Sequence, residues 1–252
     1  MTEQFAFLLQ RAAPIGLQEL NESSLLNRVD TKFLLNQRQL LQALQNVLHQ
    51  YRVLTVHGTQ LQKYRTLYFD TPDFTHYLAH HNGKRSRYKV RCRRYEDSDL
   101  AFLEIKQKTN KNRTIKERMP IEEIGEAIAP TWTEFLHNHY PGRVSDLEPK
   151  VWNRFTRITL VGIERVERLT LDIGVQFLWK DEIIQLPDFV IAEVKQAKWS
   201  LHSAFVQQLQ KLHVQPGGVS KYCLGAMRFY PWLKQNRFKE KSLQINRLIN
   251  HE

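Results

Sequence analysis

The sequence predicts an α+β fold on a largely antiparallel sheet, with the sheet rolled into a barrel. Strand-like segments follow one another with helices inserted at intervals, the order expected when helices gather around an antiparallel sheet. Five of those segments also alternate apolar with ionic residues, so each strand has a dry face and a charged face. The 252 residues, 42% hydrophobic and 25% charged, can bury a sizeable core.

Residues 1–26 read as an amphipathic helical lead-in, with Asn21, Ser23 and Ser24 as cap candidates. A strand over Asn27–Leu35 precedes a helix over Gln37–Tyr51, where Leu40, Leu41, Leu44 and Leu48 recur at helical spacing. Tyr64–Phe69 is the next strand, and Asp70-Thr71-Pro72-Asp73 opens a short helix that stops at Gly83. Strands follow over Ser86–Tyr95, Ala101–Lys108 and Arg113–Ile121, then a helix over Thr131–Tyr140. Three more strands are expected at Val151–Val161, Glu167–Phe177 and Phe189–Gln196, then a helix at Ser203–Leu212. A basic amphipathic tail over Tyr230–Glu252 ends the chain. The expected division is a lead-in over 1–24, a tunnel domain over 25–230 and a tail over 231–252.

Lys and Arg number 37 against 26 Asp and Glu, a net charge of +11, which implies a polyanionic partner. Arg87, Lys89, Arg91 and Arg93 share one strand face, opposite Tyr88, Val90 and Cys92. Glu104, Lys106 and Lys108 share another, Lys116 and Arg118 a third, and Glu193 with Lys195 a fourth. The first strand sets Arg28, Asp30 and Lys32 against Val29 and Phe33. One such strand is explained by a sheet with a wet surface. Five together place like charges side by side, which destabilises a sheet unless an anion compensates. Rolled into a barrel, the pattern gives a cationic bore inside an apolar wall and removes the sheet edges. Glu104 and Glu193 each precede a lysine by two residues. Such a carboxylate is either an internal salt-bridge partner or a hard oxygen ligand for Mg²⁺ or Mn²⁺.

Other chemistries lack their signatures. There is no P-loop and no dinucleotide-binding glycine motif. His76, His80 and His81 read as surface or packing residues, and Cys92 as a buried thiol. Cys92 and Cys223 cannot build a disulfide framework, which suits a reducing, cytoplasmic setting. No stretch has the length and apolarity of a membrane span. Aromatics do not interleave the cationic rows, which argues against nucleic acid.

Six collinear motifs carry a resemblance: Arg28-Val29-Asp30-Thr31-Lys32, Tyr68 through Asp73, Lys89 through Tyr95, Phe102 through Lys106, Glu193-Val194-Lys195 and Ser220-Lys221-Tyr222. Together they resemble the VTC domain, the polyphosphate-polymerase domain of the CYTH or triphosphate tunnel superfamily, in its stand-alone bacterial form. The resemblance implies a closed eight-stranded antiparallel tunnel with surrounding helices. It implies a metal-dependent transferase that moves the γ-phosphoryl of ATP to phosphate or a growing polyphosphate. Lys32, Arg91, Arg93, Lys106 and Lys221 would act at the transferred group. Arg28, Lys89, Lys108, Lys116, Arg118, Arg157, Arg168, Lys195 and Ser220 would hold phosphate. Glu193, and with it Glu104, would serve Mn²⁺ or Mg²⁺. Hydrolysis of tripolyphosphate or a nucleoside triphosphate, or phosphate binding without turnover, would use the same lining. Export of a product would need a separate membrane protein. Two residues depart from the family: Phe155 stands where tyrosine is usual, and Asp30 where related tunnel enzymes have glutamate.

Overall fold

The computed structural model describes residues 2–22, 28–111, 113–198 and 200–250. The cap candidates Ser23 and Ser24 and the expected strand start at Asn27 lie outside them, as does the end of the tail at 251–252. The lead-in is not one helix: α1 (Thr2–Leu9), a short β1 (Ala13–Ile15) and α2 (Leu17–Glu22) share it. Three residues containing Pro14 are too few to show an alternation. Then come β2 (Val29–Asn36) and α3 (Gln37–Val47). Asn36 starts α3 with a reciprocal capping box, its side chain accepting from Gln39 N at 2.8 Å and its own N donating to Gln39 Oε1 at 3.0 Å. The expected continuation of that helix to Tyr51 instead becomes a 3₁₀ turn and β3 (Tyr51–Leu54), which pairs with β1.

Next are β4 (Gln62–Asp70), α4 (Thr75–His81), β5 (Arg87–Tyr95), β6 (Leu100–Lys108) and β7 (Thr114–Ile121). The chain continues through α5 (Thr133–His139), β8 (Glu148–Gly162), β9 (Glu167–Trp179), β10 (Glu182–Leu186) and β11 (Phe189–Gln196). Three helices close it: α6 (Ala204–Lys211), α7 (Lys221–Phe229) and α8 (Lys239–Asn250). Hairpin strand β10 and helix α7 were not expected from the sequence. A central glycine and a preceding Pro216-Gly217-Gly218 turn hide the helical character of α7. Gly225 is required there, because a Cβ would lie 2.6 Å from Phe177 Cδ1 and 2.8 Å from Val151 Cγ1.

Eight strands form one antiparallel path in the order β2-β11-β9-β8-β4-β5-β6-β7. They make the expected α+β tunnel, with one difference. Among the described residues no backbone ladder joins β7 to β2. Pro120 of β7 has no amide hydrogen to donate, and the inward Lys116 and Arg118 would meet the cations of β2.

The outward faces are dry. Phe33, Leu35, Leu171 and Ala192 pack under α1, α3 and α6, while Leu67, Val90, Cys92 and Leu103 pack under α5 and Trp132. Among the described residues no helix is long and apolar enough to cross a membrane.

Candidate functional site

The inward faces carry the charge, because the residues that alternate with the buried ones point into the bore. Register then sets the neighbours. Lys89 of β5 lies opposite Lys106 of β6, which lies opposite Lys116 of β7. Lys32 of β2 lies opposite Glu193 of β11, and Arg157 of β8 opposite Asp172 of β9. The sheet curls enough for Lys32 and Lys106, on distant strands, to feel each other's charge.

Three inward carboxylates are each shared by two cations. Glu104, 0% exposed, accepts Arg91 Nε at 2.7 Å and pairs with Lys116. Asp172 takes a forked contact from Arg157, Nε to Oδ1 at 2.6 Å and Nη2 to Oδ2 at 2.8 Å, and pairs with Lys221. Glu193, 17% exposed, lies between Lys32 and Lys195, and Thr170 Oγ1 is 3.5 Å from it. Against desolvation, their cations hold Glu104 and Asp172 well below the ordinary carboxylate range. For Lys32 and Lys195, burial and like charge push the ammonium pKa values down, with Asp30 opposing the shift at both and Asp172 opposing it at Lys195.

Among the described residues three other inward cations, Arg93, Lys89 and Lys106, have no carboxylate in ion-pair contact. Arg93, buried, donates from Nε to Thr66 Oγ1 at 3.2 Å, and Lys89 donates to Ser220 Oγ at 2.8 Å. Among the described residues the Lys106 ammonium has no hydrogen bond or close ion pair, and the carboxylate whose charge reaches it is Asp30. Burial first, and then the neighbouring Arg91, push both Lys89 and Lys106 down to about 8. Lys106 stays accessible to solvent while protein surrounds it, the situation of a group in a water-filled bore. An aromatic pair underlies the centre: Phe155 stacks on Tyr64 at 5.0 Å. Over the Phe155 ring lie Lys221 Nζ at 4.3 Å, Arg157 at 5.3 Å and Arg93 at 5.9 Å, so the residue in the usual tyrosine position is a cation platform.

One end of the bore is filled. Leu34, two residues from Lys32, and Ile191, two from Glu193, face inward and are buried against α7 with Val151, Phe155 and Phe177. A register shift between β8 and β9, with Gly174 at φ 60°, turns Val175 and Phe177 to the inside after Asp172. Tyr222 of α7 donates to Asp70 Oδ2 at 2.6 Å. Asp70 also accepts His76 N at 2.8 Å and Tyr77 N at 2.9 Å, so it fixes α4 and the plug together. Ser220 caps α7, accepting Cys223 N at 3.3 Å, and the helix therefore begins at the polar half of the bore.

Lys32, Lys89, Arg91, Arg93, Lys106, Lys116, Arg157, Lys195, Lys221, Ser220, Glu104 and Glu193 thus converge on one bore. Four others sit toward its margins. Arg28 is exposed and pairs with Asp30 at 2.9 Å, and Arg168 donates to Leu20 O at 2.8 Å. Arg118 lies exposed over the Phe102 ring at 4.8 Å, and Lys108 faces Arg87 at the strand ends. Sequence reasoning passed over Asp172 and Thr170 as site residues, although both continue the alternation from Arg168. His76 is buried with its Nε2 2.9 Å from Tyr140 Oη, and Cys92 is a buried thiol whose pKa burial raises. No group of three or more His, Cys, Asp or Glu side chains able to hold a metal occurs among the described residues.

Fold and lining define a tunnel protein with a cationic interior. The family model described as the VTC domain matches residues 27–230, and the chain belongs to that family. No curated protein matches the sequence. Among solved structures, the chain is similar to a candidate adenylate cyclase from Bacillus halodurans, with 14% identity and TM-score 0.47, covering 81% of this chain and 97% of that one. A candidate adenylyl cyclase from Hippeastrum with a dominant triphosphatase activity gives 14% identity and TM-score 0.49, covering 78% and 94%. The PH1819 protein of Pyrococcus horikoshii gives 14% and 0.42, covering 78% and 97%.

Proposed function

We propose that this chain is a metal-dependent phosphotransferase that moves the γ-phosphoryl of ATP to inorganic phosphate or to the end of a polyphosphate chain. The observation that carries the reading is the in-register row Lys89–Lys106–Lys116, crowded inside the bore, where Lys106 has no close ion pair among the described residues. Such a row is unfavourable by itself and favourable around a chain of phosphates. Residues 25–230 are the unit to which the activity is assigned, and family membership over 27–230 supports it.

The chemistry needs no protein nucleophile. An oxygen of the acceptor phosphate bonds to the γ-phosphorus, the bond from γ-phosphorus to the β–γ bridging oxygen breaks, and ADP leaves with the electron pair. Arg91, Arg93 and Arg157 present forked donors to phosphate oxygens, and Lys32, Lys106 and Lys221 supply point charges. Arg28, Lys89, Lys108, Lys116, Arg118, Arg168, Lys195 and Ser220 hold the rest of the chain. The paired state of the bore implies exchange: phosphate takes cations from Glu193, and the freed carboxylate is available to a metal.

Glu193 fits a hard cation that binds through one carboxylate and substrate phosphates, because it is partly open and no all-protein cage surrounds it. Glu193 would hold Mn²⁺ or Mg²⁺ beside the phosphates, and such an ion would supply positive charge against that growing on the leaving group. Glu104, wholly buried between Arg91 and Lys116, serves instead to fix those two cations.

The test is incubation of the purified chain with ATP and Mn²⁺, assaying polyphosphate and free phosphate together. Polyphosphate supports the proposal. Free phosphate alone makes the protein a hydrolase, and neither product with retained triphosphate binding makes it a binding module.

A further inference from the structure

The outer wall of the tunnel carries a cleft that the bore does not use. It measures about 330 Å³ and lies between the outward faces of β5, β6 and β7 and the end of α5. Strand alternation makes it unlike the bore. Lys89, Lys106 and Lys116 point inward, so the residues beside them, Tyr88, Gln107 and Ile115, point outward in register with one another and line the cleft. Glu117 follows Ile115 on the same face of β7, opposite Ile105. No Lys or Arg lines the cleft, although the chain carries a net charge of +11.

The charge of this cleft is negative. Glu117 is half-buried, and among the described residues its carboxylate has no ion pair and no hydrogen bond. Tyr88 and Tyr140 wall the space, their rings edge to face at 6.1 Å. Tyr140 is held from behind, its Oη 2.9 Å from His76 Nε2. Burial first, and then the charges of Asp70 and Asp146, raise the Tyr140 phenol to about 12, so it stays protonated. Asp70 is wholly buried and accepts from Tyr222 Oη and from the amides of Thr71, His76 and Tyr77. Among the described residues no Lys or Arg pairs with Asp70, so its charge reaches the tyrosine wall uncompensated.

We propose that this cleft binds a small primary alkylammonium ion. Glu117 pairs with the ammonium, and the side-chain carbonyls of Gln107 and Asn138 are acceptors for its remaining hydrogens. The tyrosine faces attract the same charge, and Ile105 and Ile115 cover the alkyl chain. An anion is repelled by Glu117 and by Asp70. A neutral apolar molecule would take water from Glu117 and give it no partner, which costs free energy. A metal ion is a poor fit, because no group of three or more His, Cys, Asp or Glu able to hold one occurs among the described residues. The cleft and the bore lie on opposite faces of the same strands, so this site stands apart from the phosphate reading.

The test compares n-butylammonium with n-butanol, which share a chain and differ in charge, by magnetic resonance on the isotope-labelled, purified chain. n-Butylammonium should shift the side-chain amide resonances of Gln107 and Asn138 saturably, with an affinity at least about fivefold above that of n-butanol. Glu117→Gln should remove this preference and leave the affinity for n-butanol unchanged. Equal affinities in the wild-type protein would overturn the proposal, as would a folded E117Q protein that keeps the full preference. Shifts that never saturate, or that appear only at other carboxylates, would overturn it too. Should E117Q fail to fold, the wild-type comparison still decides.

Discussion

Lys89 and Lys106 are direct cross-strand neighbours inside the bore, and neither has a carboxylate within ion-pair distance among the described residues. Like charges so placed destabilise a strand pair by a few tenths to about 1 kcal/mol. The protein tolerates this because α7 supplies Ser220 to Lys89, and because water reaches Lys106. The arrangement links stability, protonation and anion binding, which can be separated by measurement.

Protonation comes first. Both lysines titrate near 8 in the free protein, below the ordinary lysine value of 10.5. Between those values the unfolded chain binds more protons than the folded one, so these two groups make the free protein more stable as pH rises from 8 to 10. Anion binding has the opposite sign, since phosphate favours the charged amines. Tripolyphosphate affinity should therefore fall as pH rises through 8, with proton uptake on binding at pH 8.5. Calorimetry in buffers of different ionisation enthalpy would detect the uptake. Its absence would remove Lys89 and Lys106 from the phosphate site.

Removing one charge should trade function for stability. Lys106→Met keeps the stem and deletes the unpaired ammonium, so the free protein should melt at a higher temperature. Tripolyphosphate at 100 times Kd should stabilise the wild-type protein by about 2.7 kcal/mol. In K106M, measured at the same concentration by thermal unfolding, that gain should shrink. A variant that is less stable than wild type and binds equally well would contradict both halves of the prediction.

Much of this site was legible because strand alternation is a local rule. Arg91, Arg93, Lys106 and Glu193 could be placed on an inward face from their spacing alone, once enough strands repeated the pattern. The pairings were not legible. That Glu104 takes Arg91 and Lys116, while Glu193 takes Lys32 and Lys195, depends on register and on curl between strands far apart in sequence. Asp172 continues the alternation from Arg168 and Thr170, but its role as the partner of Arg157 depends on the β8–β9 register. The plug was not legible either. Helix α7 needs Gly225 to approach Phe177 and Val151 inside the barrel, and glycine lowers helix propensity.

Gly225 tests the plug. Valine there would place its side chain against Phe177 and Val151, and overpacking of this kind costs about 1–3 kcal/mol. Gly225→Val should lower the melting temperature and also weaken triphosphate binding, because displacement of α7 moves Lys221 and Ser220. Loss of stability with unchanged affinity would show that the start of α7 has no part in the site.

The filled end of the bore makes a further prediction about substrates. A polymer can enter only from the open side, so recognition should depend on a chain terminus. Polyphosphate with both termini esterified should bind more weakly than the free polymer at equal phosphate concentration, measured by competition against tripolyphosphate. Equal competition would mean that internal phosphates reach the cations, for instance sideways between β7 and β2.

The last prediction separates turnover from binding through Glu193 and Arg93. Glu193→Gln removes charge and little volume, and it releases Lys32 and Lys195 from their shared partner. Metal-free tripolyphosphate should then bind at least as tightly as in the wild-type protein, because one repulsive carboxylate is gone. Turnover should collapse, since charge stabilisation by a bound metal is worth several kcal/mol. Arg93→Ala should behave in the reverse way. Among the described residues its guanidinium has only Thr66 as a hydrogen-bond partner, and it lies over the Tyr64 ring at 5.4 Å, so it can meet an anion. Its loss removes a charge-assisted contact and should weaken tripolyphosphate binding about tenfold or more. Measuring affinity and metal-dependent turnover in both variants gives opposite patterns if Glu193 serves the metal and Arg93 the phosphate. If Glu193→Gln keeps full metal-dependent turnover, Glu193 is only a salt-bridge partner, and the metal must be held elsewhere.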